Sequence, residues 1–190
     1  MSPRTEKQIE KLKQKKELSI IESSLFLFSE NGYVNTSMQS IAKKAEVSKG
    51  NLYNYFESKE RLLEGVLHYG MNQMMELFQD QSSIQTEEDF SKTIHANFEM
   101  IKTNESFWKL YYNLIAQPKV HTLFNKVFLP FFEQYMKYFE VYFKNKGDKD
   151  PASTALLLGS AIDGISLGYI MMGENYPLKG VVDQLIEKFK

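Results

Sequence analysis

Apolar residues recur along this chain at intervals of three and four and show no sustained alternation at intervals of two, the signature of amphipathic helices rather than strands. Ile20, Ile21, Ser24, Leu25 and Phe28 form one such stripe. A first helix is therefore expected from about Thr5 to Glu30, ending where Asn31 and Gly32 tolerate a left-handed backbone. Met38, Ile41, Ala42 and Ala45 mark a second, starting near Thr36, whose hydroxyl with Gln39 three positions on makes a capping box. Ser48 caps a brief third helix from Lys49 to Tyr55. Ser58 caps a fourth that runs through Leu62, Leu63, Val66, Leu67, Met71, Met74 and Met75 toward Phe78. After the polar stretch "QDQSSIQTEED", helices are expected over about Glu87 to Thr103, Glu105 to Ala116, Val120 to Lys144, Pro151 to Met172 and Leu178 to Phe189. Asp150 before Pro151 is a start signal, a capping carboxylate followed by proline at the first helical position. The pattern predicts an all-α protein of about eight or nine helices.

Composition narrows the chemistry. With 190 residues, 43% of them hydrophobic, the chain can bury a sizeable core. It has no cysteine, which excludes disulfides, thiolate catalysis and cysteine-based zinc sites. Charges at the amino terminus are not followed by an apolar segment, so no secretory signal is visible and a cytoplasmic protein is expected. The net charge of −1 divides into +3 up to Arg61 and −4 beyond it, a basic front that suits a polyanion on an otherwise acidic body.

The segment "TSMQSIAKKAEVSKGNLYNYFESKE", Thr36 to Glu60, has the parts of a helix-turn-helix: two short helices held by a small apolar knot, so that the second can enter a major groove about 12 Å wide. Ile41, Ala42 and Ala45 face Val47 and Leu52, with Phe56 inward, and Lys49, Gly50, Asn51 and Asn54 are left to face out. Lys49 can donate to guanine O6 or N7, Asn51 can pair with adenine, and Gly50 lets backbone approach a base edge. Ser37, Tyr53, Tyr55 and Lys59 supply the hydroxyl and ammonium groups that hold phosphates. The competing reading is a helical hairpin whose polar residues are merely solvated and whose tyrosines only pack.

The run "LFSENGYVNTSMQSIAKKAEVSKGNLYNYFESKERLL", Leu27 to Leu63, resembles the TetR family of bacterial transcriptional regulators, and the apolar spacing from Leu18 also fits. The resemblance covers about a quarter of the chain. It implies that Lys49, Gly50 and Asn51 lie near bases, Ser37, Tyr53, Tyr55 and Lys59 near phosphates, and Gln39 at another groove-facing position. One departure is visible: the turn often has glycine where this chain has Glu46, at a cost of roughly 1 kcal/mol for a left-handed non-glycine residue.

Lys7, Lys11 and Lys15 recur every four residues near the amino terminus, joined by Arg4, Lys13 and Lys16 and interspersed with Glu6, Glu10 and Glu17. They read either as a solvated helix extension or as groups reaching phosphates or a minor groove beside the operator. The span Phe90 to Phe143 holds 15 of the 26 aromatic residues, enough to line a cavity as well as fill a core. Phe98, Phe107, Trp108, Tyr111, Tyr112, Phe131, Tyr135 and Tyr138 are the candidates, with Asn113, Gln117 and Asp163 as polar anchors for a flat, apolar or cationic ligand. Each aromatic taken singly reads more simply as packing. His68, His95 and His121 are scattered at no metal-ligand spacing. No nucleophile elbow, phosphate-binding glycine loop or acid/base pair is evident, so neither catalysis nor a cofactor is expected.

"ALLLGSAIDGISLGYIMMG", Ala155 to Gly173, is the most apolar run. Its length and its Gly164/Gly168 pair suit a membrane helix, but Asp163 at its centre and the lack of orienting flanks argue against spanning. Ser160, Gly164 and Gly168 instead form a small-residue stripe suited to a symmetric helix-helix interface. The resemblance implies that the last two long helices build a four-helix bundle with a partner copy, placing two recognition helices about 34–36 Å apart on a palindromic duplex. The expectation is a homodimer with a helix-turn-helix DNA-binding domain at 1–60 and a helical effector-binding and dimerisation domain at 61–190. It would repress transcription and leave its operator on binding a small, largely apolar or aromatic effector. The alternatives are a helical small-molecule-binding protein whose head engages a protein partner, and a membrane-anchored helical protein.

Overall fold

The computed structural model describes residues 5–76 and 84–190 and contains nine α-helices among them. They are α1 (Glu6–Asn31), α2 (Met38–Lys44), α3 (Lys49–Tyr55), α4 (Lys59–Met75), α5 (Glu87–Thr103), α6 (Glu105–Ile115), α7 (Pro118–Asn145), α8 (Pro151–Met172) and α9 (Leu178–Phe189). The described residues contain no strand. The expected continuation of the fourth helix to Phe78, and Arg4 of the basic amino terminus, lie outside the described residues.

The helix starts follow their caps. Thr5 and Gln8 close a capping box on α1, Thr86 and Asp89 another on α5, and Asp150 with Pro151 at the first position opens α8. Two starts differ from the expectation. The box on α2 is made by Ser37 and Ser40, one residue later than expected, because the Thr36 hydroxyl points back and donates to the carbonyls of Leu27 and Gly32 at 3.0 and 2.9 Å. The helix expected from Val120 starts at Pro118, since the Gln117 carbonyl already accepts from the Val120 and His121 amides and proline loses nothing at a helix start. Pro130 lies inside α7.

The chain packs as two compact units. One takes the chain to Gly70 together with Leu110–Val127, and the other takes Met71–Lys109 and Phe128–Lys190. In the first, α2 packs on both α1 and α3, and Ile20, Phe28, Ile41, Leu52, Leu62 and Val66 are wholly buried. Tyr111 joins this unit: its ring lies on Gly70, where an added Cβ would fall 2.2 Å from ring carbon Cε2, and its hydroxyl donates to the Leu67 carbonyl at 3.1 Å. In the second unit α9 packs on α5 and α8 around an aromatic core. Phe90 stacks on Tyr142 at 4.9 Å and meets Phe139 and Phe143 edge-on. Edge and stacked ring pairs of this kind contribute about 0.5–1.5 kcal/mol each beyond the area they bury.

Among the described residues Glu46 is the only non-glycine residue with positive φ, at 55°. It sits in the turn between α2 and α3, and its Cβ is held against the sterics that make this region costly for L-residues. Glu46→Gly is expected to stabilise the protein by about 0.5–1 kcal/mol, part of the relief being offset by the greater freedom of an unfolded glycine. The check is urea unfolding, which should show a raised midpoint at an unchanged slope.

Candidate nucleic-acid interface

The turn between α2 and α3 is pinned by two backbone bonds, Ala45 N–H to Ile41 O at 2.9 Å and Val47 N–H to Ala42 O at 3.0 Å. With Leu52 fully buried beneath it, α3 shows its opposite face to solvent. Lys49, Gly50, Tyr53 and Asn54 are exposed there, and Asn51 and Tyr55 are half-buried. Ser48 Oγ accepts the Asn51 amide at 3.1 Å, so the helix begins one residue after it. At the start of α2, Ser37 and Gln39 are also exposed, and Ser37 Oγ accepts the Ser40 amide at 3.1 Å. Among the described residues nothing lies within 4 Å of a Cβ built on Gly50. Phe56 is buried, as its apolarity suggested, and packs on Gly65, where a Cβ would come within 2.8 Å of its ring.

Lys59 departs from the phosphate role expected for it. Its Nζ donates to the carbonyls of Tyr33, Val34 and Thr36 at 2.9, 3.1 and 2.9 Å and stands 4.6 Å from the Tyr33 ring centre. An ammonium has three protons, so these acceptors take all of them. Gln117 departs similarly from its role as a ligand anchor. Its Oε1 accepts the Tyr33 amide at 2.8 Å and its Nε2 donates to the Phe28 carbonyl at 2.8 Å. Together with Thr36, these side chains satisfy the backbone between the end of α1 and the start of α2, where a buried carbonyl would otherwise lack a partner.

Residues 20–66 match the family described as bacterial regulatory proteins, tetR family. This segment belongs to the tetR family. The chain is similar to an uncharacterized HTH-type transcriptional regulator, YuxN of Bacillus subtilis (strain 168), at 52% identity over 56 residues, 30% of this chain and 19% of the relative. The chain thus spans about a fifth of that relative's length, and the match speaks for the aligned segment alone. The fold is shared more widely. FadR from Bacillus halodurans, a fatty acid degradation regulator, superposes with a TM-score of 0.73 at 20% identity, covering 92% of this chain and 94% of that one. FadR from Bacillus subtilis in complex with stearoyl-CoA gives 0.72 at 20% identity, covering 90% and 96%. The all-α architecture of a TetR-type head followed by a helical carboxy-terminal domain is therefore this chain's fold.

The candidate effector residues do not form one group. Tyr111, the half-buried Tyr112, Asn113 and Gln117 belong to the same compact unit as the TetR-type head, the rest to the second unit. Burial raises the Tyr111 hydroxyl well above the ordinary tyrosine range. In the second unit, Phe98 and Tyr135 are core residues, Phe131 packs against that core and stacks on Tyr135 at 5.8 Å, and Trp108 is buried with Phe107 edge-on at 5.1 Å. Within this core lies a polar residue that hydrophobic patterning did not single out: Asn97, 2% exposed, donates to the Tyr135 hydroxyl at 3.1 Å. Phe98 also lines a cleft of about 450 Å³ with His95, Glu99 and Lys102 of α5, Tyr169 of α8 and Tyr176. Asp163 is not directed into the aromatic core. It is exposed on α8 beside Gly164, yet crowding by its neighbours strips water from the carboxyl and pushes it up to about 6.

The small-residue stripe on α8 is divided. Ser160 and Gly164 are exposed, and a Cβ on Gly164 would meet nothing within 4 Å. Gly168 is instead covered from within its own chain, a Cβ there falling 2.7 Å from the Tyr176 ring. Leu156, Leu167 and Met171 extend the exposed face. α8 and the turn after it, 151–175, are long and apolar enough to cross a membrane by length and composition. Among the described residues no cluster of three metal-capable side chains occurs, and His68, His95 and His121 are each exposed.

The two readings of Lys59 separate experimentally. Lys59→Met is expected to cost about 1.5–3 kcal/mol of stability, the range for hydrogen bonds made by a charged group. On any duplex the protein binds, the variant should weaken binding with the salt slope unchanged. A phosphate contact would instead lower that slope by about 1.

Proposed function

We propose that this chain is a dimeric TetR-like transcriptional regulator, a repressor whose head, residues 1–60, binds a palindromic operator and whose remainder, residues 61–190, binds an effector and dimerises. The observation that carries this reading is the outer face of α3. A buried Leu52 fixes the helix while Lys49, Gly50, Tyr53 and Asn54 stay in solvent. Glycine inside a helix costs about 1 kcal/mol against alanine, and no neighbour among the described residues requires it at position 50. Close approach of a partner surface gives that cost a use. In this reading Lys49 and Asn51 reach base edges, Gln39 and Asn54 face the groove, and Ser37, Tyr53 and Tyr55 hold phosphates.

The effector is proposed to be small and largely apolar or aromatic, and to be taken up by the second unit. Phe98 and Tyr135, with the buried Asn97, offer apolar walls and one polar contact, and the cleft at Phe98 falls within the usual size of ligand sites. Glu99 and Glu174 on its rim are balanced by Lys102, 3.6 Å from Glu99, and by Lys179, so the rim favours neither sign of charge. One structure of this fold holds stearoyl-CoA, so an acyl-CoA is the second ligand class to try. Effector binding would shift α4 and pull the two recognition helices out of operator spacing.

Selection of genomic fragments by the full chain at stated salt is expected to return palindromic duplexes. Lys49→Ala should relax base preference at one position per half-site at a cost of about 1–3 kcal/mol. A chain that selects no duplex would sink the proposal.

The dimer is proposed to form across the outer face of α8, with Leu156, Ser160, Asp163, Gly164, Leu167 and Met171 toward the partner copy. Gly164→Arg is expected to leave helix content unchanged, since the position is open in the single chain. It should convert the dimer to a monomer by light scattering, and a variant that stays dimeric would place the interface elsewhere.

A further inference from the structure

We propose that the leading part of α1, residues 7–18, is a second DNA-binding surface, laid along phosphates outside the half-site that α3 reads. The proposal rests on the reading of α2 and α3 as the DNA-binding pair. α1 is one unbroken helix from Glu6 to Asn31, and its first fully buried residue is Ile20. Every residue from 7 to 16 is exposed. At about 100° per residue, Lys7, Lys11 and Lys15 fall within an arc of roughly 80°. Glu10 and Glu17 lie roughly 110° away from the centre of that arc, in line with the buried Ile21, Ser24 and Phe28. Lys13 and Lys16 lie on the far side of the helix, Lys13 beside Glu17, so the arc of Lys7, Lys11 and Lys15 is the face of this segment that carries cations without carboxylates.

The lysine arc also leads to the head. Continued toward the carboxyl end it runs through Glu22 to Phe26, and the Lys44 ammonium lies 3.8 Å from the centre of the Phe26 ring. Lys43 and Lys44 form the basic last turn of α2, only a few residues before the Ser48 cap of α3. Glu22 is exposed and is the one acidic group along this line. From Phe26 back to Lys11 the helix axis covers about 22 Å. A duplex carries one phosphate charge per ~1.7 Å of its axis, so such a length passes many phosphates beyond those at the α3 site. A lipid surface is the other polyanion a basic helix can take, but it requires the apolar residues on one face. Here Ile9 and Leu12 share a side with Lys16 between them, and Leu18 lies among Lys7, Lys11 and Lys15, so no face of the segment is apolar alone.

The experiment compares the full chain with the triple variant Lys7→Ala, Lys11→Ala, Lys15→Ala on a duplex that the full chain selects, in long form and cut back to its palindrome. Each lost phosphate contact removes about 0.9 from the slope of log K against log salt. The expected result on the long duplex is a fall in slope of about 2 or more, with base preferences and thermal midpoint unchanged and the difference absent on the short duplex. Equal slopes on the long duplex would overturn the inference and leave the regulator reading standing. The same holds if the lysines prove necessary only for binding phosphatidylglycerol vesicles. If the full chain selects no duplex at all, the regulator reading fails and this inference fails with it.

Discussion

The backbone between α1 and α2 must turn sharply without leaving its carbonyls unpaired, and the first unit depends on how that is done. One local side chain and two distant ones converge there. Thr36 bonds back to Leu27 and Gly32, Lys59 takes three carbonyls, and Gln117 holds Phe28 and Tyr33. Gln117 comes from the turn that joins α6 to α7, more than 80 residues away from Tyr33 in sequence. The entry to α2 is thus set in part by a residue outside the helix-turn-helix segment, Gln117. Once Ser37 is placed, α2, its turn and α3 follow from local caps and one buried leucine.

That arrangement leaves the face of α3 with no structural duty, and the cost of the design shows in two places. Gly50 weakens a short helix without relieving any crowding inside the protein. Glu46 holds a left-handed turn without the freedom of glycine. The turn persists because the Leu52 anchor and the backbone bonds on either side of it over-determine its path.

The second unit solves a different problem. Its many aromatic residues are largely consumed by packing: Phe90, Phe139, Tyr142 and Phe143 form one interlocked group. The ligand chemistry of this unit therefore rests less on the number of aromatic residues than on the few polar atoms among them, Asn97 and the Tyr135 hydroxyl. α8 divides along its length in the same spirit, its buried side serving the core and its outer side carrying leucine, methionine, small residues and a single carboxylate.

Caps, apolar periodicity and turn residues are local, and so the helices from Lys49–Tyr55, Glu87–Thr103, Pro151–Met172 and Leu178–Phe189 were legible in the sequence to the residue. So was the helix-turn-helix pair, because its knot and its outer face alternate within a single short segment. Tertiary structure decided everything that depends on which distant atoms meet. It turned Thr36 away from the cap it seemed to make, and it drew Lys59 and Gln117 into the backbone. It also set Tyr176 against Gly168 and Asp163 on an outer face. A side chain's type limits the bonds it can make. Which of those bonds forms is fixed only when the chain brings an unpaired partner within about 3 Å.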